Sequence, residues 1–258
     1  MTLSVLVTGA SSGIGAALAR EYDKRGARLA LLARRKDRLD ALAKELRDAL
    51  PIACDVTDDA SVQRATREAL GAFGDLDVVV ANAGISVMGT VEEVSIDEYK
   101  RVFETNVFGV LRTVKASIGS LKRTSGRVGI VGSVSGFLSL PGTSAYAMSK
   151  FAVRALAEAF GAELASSGVS VTHIAPGFVE SEIRKANESA SDPVPAFLIM
   201  PNDRAAHQIA SAIQDRHAEA VITNHGKAAM FMATRFPRTV HGVVRLASSQ
   251  IASRVKRG

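Results

Sequence analysis

Seven short apolar runs punctuate the chain: Val5–Thr8, Leu29–Ala33, Ile52–Cys54, Val78–Ala81, Val128–Val131, Val169–Ile174 and Ala220–Thr223. Between them lie longer stretches whose apolar residues recur at helical spacing: Ile14–Arg25, Lys36–Ala49, Ser61–Ala72, Asp97–Leu121, Ala145–Ser166 and Arg204–Arg216. Short buried runs alternating with amphipathic helices are the signature of βαβ units and a parallel sheet. A length of 258 residues permits one large domain or two small ones. The alternation runs through residue 223 with no Pro/Gly/Ser-rich linker, internal repeat or low-complexity break, so a single domain over residues 1–258 is expected.

The composition, 47% apolar and 22% charged, is that of a globular protein and excludes disordered, collagenous and disulfide-stapled classes. A formal net charge of +6 would by itself suggest nucleic acid or an anionic surface as partner. The charge is unevenly placed, however. Residues 221–258 hold seven basic side chains and no acidic one, whereas the first 220 residues hold 25 basic against 26 acidic. The body is nearly neutral, lacks tryptophan, and has no aromatic residues interleaved with a basic platform, so no nucleic-acid partner is expected. Cys54, the only cysteine, excludes an intrachain disulfide. With no signal-peptide pattern at Met1–Thr8 and no apolar stretch of spanning length, a cytoplasmic protein is expected.

Thr8-Gly9-Ala10-Ser11-Ser12-Gly13-Ile14-Gly15 joins the first predicted strand to the first helix. Glycines there allow a tight turn and let backbone N–H groups and a helix N-terminus approach a pyrophosphate. Further motifs follow in order: Asp55-Val56, Asn82-Ala83-Gly84, Ser133, Tyr146-Ala147-Met148-Ser149-Lys150 and Pro176-Gly177. Together, over residues 3–183, they resemble the short-chain dehydrogenase/reductases of the classical type. The resemblance implies a Rossmann-type α/β fold, a doubly wound parallel sheet of about seven strands with helices on both faces. It also implies that Gly9, Ser11, Ser12, Gly13, Ile14 and Gly15 form the pyrophosphate loop, Asp55 and Val56 flank adenine, and Asn82, Ala83 and Gly84 run past the ribose. Pro176, Gly177 and Val179 would meet the nicotinamide end, with Ser181 where the family usually has threonine.

Which nicotinamide dinucleotide is used depends on the end of the second strand, because an acid there bonds the ribose 2′-OH of NAD whereas arginine accepts the 2′-phosphate of NADP. Here Arg34, Arg35 and Lys36 follow Ala33, with no acid before Asp37. NADP(H) is favoured. NAD(H) stays open, because Ser12 occupies the loop position where many NADP-type relatives carry a basic residue, and Arg34 and Arg35 have a plainer reading as a solvated helix start.

Tyr146 and Lys150, four apart on a predicted helix, share one face. An ammonium beside a phenol favours the phenolate, so the tyrosine is expected to have a lowered pKa and to act as general acid or base. Ser133, thirteen residues earlier, stands in the family's register for the hydroxyl that binds the substrate oxygen. Asn106 matches the fourth member of its tetrad, which holds a water linking the lysine to solvent, and it has a plainer alternative as a kink or a core hydrogen bond. The five histidines lack metal-ligand spacing, and no metal site is expected.

Residues 177–203 read as a substrate lid, with Pro193, Pro195, Pro201 and the apolar Phe197–Met200. Phe137, Leu138, Leu140, Val87, Met88 and Phe178 add apolar groups that suit a hydrophobic small-molecule carbonyl or alcohol, or simply close the lid onto the body. The Ala145–Ser166 helix is apolar on more than one face, and in relatives it helps build a homodimer or homotetramer. Residues 226–258 read as a basic helical extension, with Val240, Val244, Ala247, Ile251 and Val255 at helical spacing. Packing on the body or on a neighbouring subunit is the first expectation for it, and membrane-surface contact the second. A dinucleotide-sensing regulator of the same fold is the non-catalytic alternative, and a membrane-surface-associated dehydrogenase acting on lipid or steroid-type molecules is the catalytic one.

Overall fold

The computed structural model describes residues 2–180 and 195–255, with side chains through residue 246. Its strands are β1 (Ser4–Thr8), β2 (Arg28–Ala33), β3 (Ala49–Ala53), β4 (Val78–Ala81), β5 (Arg127–Val131), β6 (Ser170–Ala175) and β7 (Glu219–Val221). All pair in parallel, in one sheet of order β3-β2-β1-β4-β5-β6-β7. The winding reverses between β1 and β4, and the crevice beyond their carboxyl ends is where sheets of this kind place ligands.

Residue alternation along the strands divides the core in two. Val5, Val7, Leu29 and Leu31 point to one face, where they meet α1 (Gly13–Lys24), α2 (Lys36–Ala43) and α7 (Asn202–Gln214) through Leu18, Tyr22, Leu39, Ile209 and Ile213. Leu6, Ala30, Leu32, Val79 and Ala81 point to the other, against α3 (Asp59–Phe73), α5 (Gly109–Thr124) and α6 (Ser144–Leu164). Strands buried on both sides need apolar residues at successive positions, which explains why the runs read as continuous rather than alternating. Each fully buried leucine or valine contributes roughly 1.5–3 kcal/mol by leaving water. Local signals fix the ends of two helices: Asp58 accepts from the N–H groups of Ala60 and Ser61 at the start of α3, and Ser95 with Glu98 forms a capping box on α4 (Ile96–Phe103).

Two expected helices differ from those observed. The second stops at Ala43 rather than Ala49, because residues 49–53 pair in register with Leu29–Ala33 and the ladder outweighs helical spacing. Pro51 is tolerated there because β3 is an edge strand. The Asp97–Leu121 helix is broken into α4 and α5 by a π-helical turn, Glu104–Phe108, which contains Asn106.

The C-terminal extension forms two helices, α8 (Asn224–Arg235) and α9 (Pro237–Val255). Within this tail no residue from 227 to 246 is buried, although α8 contacts β7 and the turn at Val134–Gly136. Val240 and Val244 are half-covered, while Val243, one residue before Val244, is 62% exposed. No helix among the described residues is long and apolar enough to cross a membrane.

Candidate active site

Thr8 ends β1 and ties the two strands that flank the crevice. Its Oγ1 accepts from the backbone N–H groups of Asn82 (3.0 Å) and Ala83 (3.1 Å), and the Asn82 amide donates back to Thr8 O at 2.9 Å. This close seam requires glycine. A Cβ on Gly9, at φ +68°, would lie 2.8 Å from Ala83 Cα, and one on Gly15 would lie 2.3 Å from Gly9 O. Ser12 stands at the N-cap of α1 in an extended conformation, yet its side chain makes no capping bond. The first N–H groups of α1 are thus left facing the loop, as an anion site requires.

A cleft of about 520 Å³ runs along the carboxyl ends of the strands. Every residue expected to contact a dinucleotide lines it except Gly15 and Ser181. Gly15 is buried behind the loop, where it permits the close approach of Gly9. Ser181 lies outside the described residues, as do residues 182–194 of the expected lid. Arg35 crosses the glycine loop, its Nη2 donating to Ser11 Oγ (3.0 Å) and Ser12 Oγ (2.9 Å), with Nε reaching Ser11 at 3.2 Å. Arg34 is exposed, like the solvated helix start of the plainer reading. Burial would raise the Asp55 pKa, but the N–H and hydroxyl of Thr57 and the nearby Arg34 charge outweigh it and hold the carboxylate below its usual range.

At the far end of the cleft the structure brings Ser133, Tyr146 and Lys150 together. Ser133 follows β5; its Oγ accepts from Ser135 N at 3.1 Å and stands beside the Tyr146 hydroxyl. Lys150 is buried one helical turn after Tyr146, with Nζ 5.5 Å from the phenol ring centroid and donating to Val131 O at 2.9 Å. Burial lowers the Lys150 pKa to about 8. The expected depression of the Tyr146 pKa is not found. Burial raises it, with the Ser133 hydroxyl pulling the other way.

Asn106, 1% exposed, lies behind this group. Its Oδ1 accepts from Ile85 N (2.8 Å), while Nδ2 donates to Ile85 O (2.9 Å) and Ser149 Oγ (2.9 Å). Ser149 in turn donates to Tyr146 O at 2.7 Å. The side chain therefore fills a core hydrogen-bond position that links the Asn82–Ile85 wall of the cleft to the helix carrying Tyr146.

Some lining residues escaped sequence reasoning. Ile85 and Ser86 simply prolong the Asn82–Gly84 turn, and Arg101 and Thr105 stand four apart on the helix leading to Asn106, a spacing that could have signalled them. His225 offered no signal. Its Nε2 accepts from Phe178 N at 3.0 Å and lies 3.1 Å from Thr223 Oγ1, and its ring stacks on Phe178 with centroids 5.3 Å apart. A Cβ on Gly177 would fall 2.2 Å from Thr223 Oγ1 and 2.4 Å from His225 Nε2, so the Pro176–Val179 segment can take this contact only with glycine at 177. Met200 holds the other side of the segment, bridging Val179 and donating its N–H to Phe178 O at 2.9 Å. Among the described residues no group of three His, Cys, Asp or Glu side chains is arranged to hold a metal ion.

The comparisons with known proteins agree with this geometry. Residues 4–192 match the family described as short chain dehydrogenase. Dehydrogenase/reductase SDR family member 7B of Bos taurus is 36% identical over 190 residues, which cover 69% of this chain but 58% of that protein, so the chain spans less than two thirds of that relative's length. An uncharacterized oxidoreductase of Staphylococcus aureus is 32% identical over 215 residues, 82% of this chain and 91% of its own. Among solved structures, an alcohol dehydrogenase from the archaeon Thermococcus sibiricus complexed with 5-hydroxy-NADP superposes with a TM-score of 0.77 at 31% identity, covering 86% of this chain and 97% of that one. The 3-ketoacyl-(acyl-carrier-protein) reductase of Brucella melitensis complexed with NADH gives 0.79 at 27% identity, covering 85% and 95%. With its glycine loop, its parallel sheet wound about β1 and β4, and Ser133, Tyr146 and Lys150 gathered at the end of the cleft, the chain belongs to the short-chain dehydrogenase/reductase family.

Proposed function

We propose that this chain is an NADP(H)-dependent oxidoreductase interconverting a ketone or aldehyde and an alcohol on a hydrophobic small molecule, with residues 1–258 acting as one unit. The observation that carries this reading is the convergence of Ser133, Tyr146 and Lys150 at the end of a cleft whose glycine cradle fits a dinucleotide. A bound nicotinamide supplies or accepts the hydride. In reduction, Ser133 donates a hydrogen bond to the substrate oxygen, and Tyr146 delivers its proton to the alkoxide as charge develops there. Lys150 stabilises the phenolate that remains, and the oxidation runs by the reverse transfers. In the free protein Lys150 is held to Val131 O and Tyr146 is kept protonated by burial, which suits the tyrosine to the role of acid.

NADP(H) is supported by Arg35, whose guanidinium spans Ser11 and Ser12 with no carboxylate at the end of β2 to repel a phosphate. Charge-assisted hydrogen bonds of about 1.5–3 kcal/mol correspond to roughly 10–150-fold in binding. Measuring kcat/KM with NADPH and NADH on a panel of hydrophobic ketones tests this. A preference for NADPH that Arg35→Ala removes is expected, and a native preference for NADH would overturn the assignment.

Phe108, Met148 and Phe151, exposed by 45%, 51% and 44%, lie on the π-turn and α6. They support a homodimer or homotetramer built on these helical faces, for which light scattering is the check. A cytoplasmic location is part of this reading, supported by the single cysteine of the chain.

A further inference from the structure

The α8–α9 pair is unlike the rest of the molecule. The other α-helices each bury at least one apolar residue, but between residues 227 and 246 no side chain is buried. Phe231, Met232, Phe236 and Val243 are exposed by 58%, 41%, 46% and 62%, and the Phe231 and Phe236 rings meet edge to face at 6.3 Å. Lys227, Arg235, Arg238 and Arg245 are exposed on the same two helices, and no acidic residue occurs anywhere from residue 221 onward. An exposed apolar surface of this kind marks an interaction site, and its charge selects among partners. A second copy seated isologously would set these cations against one another, since a twofold contact pairs a patch with itself. A surface of phospholipid, negative at the headgroups and apolar just beneath, matches both the arginines and the phenyl rings.

We propose that the α8–α9 pair docks on an anionic lipid bilayer, with Phe231, Met232, Phe236 and Val243 entering the headgroup boundary and Lys227, Arg235, Arg238 and Arg245 meeting the lipid phosphates. The surface springs from the cleft itself. His225, in the first turn of α8 and set against Thr223, accepts from Phe178 N, and Phe178 and Phe197 add exposed aromatic rings. Docking would bring the end of the cleft lined by Gly177 and Val179 toward the phase in which a hydrophobic carbonyl dissolves, a consequence that rests on the function proposed above, although the docking does not.

Co-sedimentation of the full chain with vesicles tests the proposal without turnover, so its failure is distinguishable from failure of the redox reading. Binding to phosphatidylcholine vesicles containing phosphatidylglycerol, much weaker binding to phosphatidylcholine alone, and weakening with salt are expected. Each basic residue near the surface contributes about fivefold, so Arg235→Glu with Arg238→Glu lowers partition by at least about twenty-five-fold. Phe231→Ser with Phe236→Ser weakens it on the same vesicles, and Lys227→Gln, a milder change at an exposed site, gives a smaller loss in the same direction. All sites are exposed, and an unchanged melting temperature shows that the fold is retained. Equal binding to both vesicle types, no binding to either, or wild-type partition by the folded variants would overturn the proposal. So would a drop in oligomeric mass in the phenylalanine variant without any vesicle binding by the native chain, which would assign the face to a second copy.

Discussion

Replacing Asn106 with alanine separates architecture from chemistry at the site. The side chain makes three hydrogen bonds of 2.8–2.9 Å at 1% exposure, two to the backbone of Ile85 and one to Ser149. A buried neutral hydrogen bond contributes about 1 kcal/mol net, and removing one partner leaves the other unsatisfied at about 1–3 kcal/mol. Three such losses give about 3 kcal/mol as a lower figure, which for a chain of this size lowers the melting temperature by roughly 6–12 °C. Thermal and urea unfolding of Asn106→Ala measure it, with the urea slope unchanged if the native fold persists. Catalysis suffers as well. Ile85 adjoins Gly84 in the cleft wall, and Ser149 carries the connection to the Tyr146 backbone. A variant melting within about 2 °C of the native protein would refute the assignment of these bonds to the stability of the site.

Tyr146→Phe should lower turnover by roughly 10²–10⁴-fold while coenzyme affinity, read by fluorescence titration, stays near native. Lys150 loses its proton as pH rises through about 8, so reductive kcat/KM should fall above that pH. In the unfolded chain the lysine keeps its proton until about pH 10.4, so between about 8 and 10.4 the unfolded state binds more protons and stability rises with pH. Urea unfolding at both ends of that window should show this rise, on the order of 3 kcal/mol at most, and Lys150→Met should lack it. His225→Ala removes the acceptor of Phe178 N and a stacked ring, a loss on the order of 1–2 kcal/mol, and should lower kcat/KM about tenfold; an unaltered value would show that Met200 alone fixes the segment.

The sequence made some of this legible because it needs only neighbours along the chain. Val5, Leu6 and Val7 announce a strand buried on both faces wherever it ends up, and Tyr146 and Lys150 share a helical face by spacing alone. What stayed hidden depends on tertiary partners. The expected helix runs on to Ala49, and only the pairing with β2 makes Ala49–Ala53 an edge strand. Within the π-turn, the Asn106 amide meets Ile85 and Ser149, 21 and 43 residues away. His225 is 47 residues from Phe178, and nothing in its own surroundings marks it. The Tyr146 shift runs opposite to the expectation from spacing for the same reason. Helical spacing gives the nearness of a charge, whereas burial, which dominates here, belongs to the assembled fold.

The hydrogen bond from Lys150 to Val131 O has a wider bearing. Val131 is the last residue of β5, and Ser133 comes two positions later, so a single strand end sets both the hydroxyl and the ammonium that flank Tyr146. Their spacing is referred to the end of one buried strand, backed by Ile209, Ile213 and Ile222 in the same core as Val131. A lineage built on this plan is free to change exposed side chains such as Phe178 and Phe197 for new molecules, while the proposed proton-handling group keeps its dimensions.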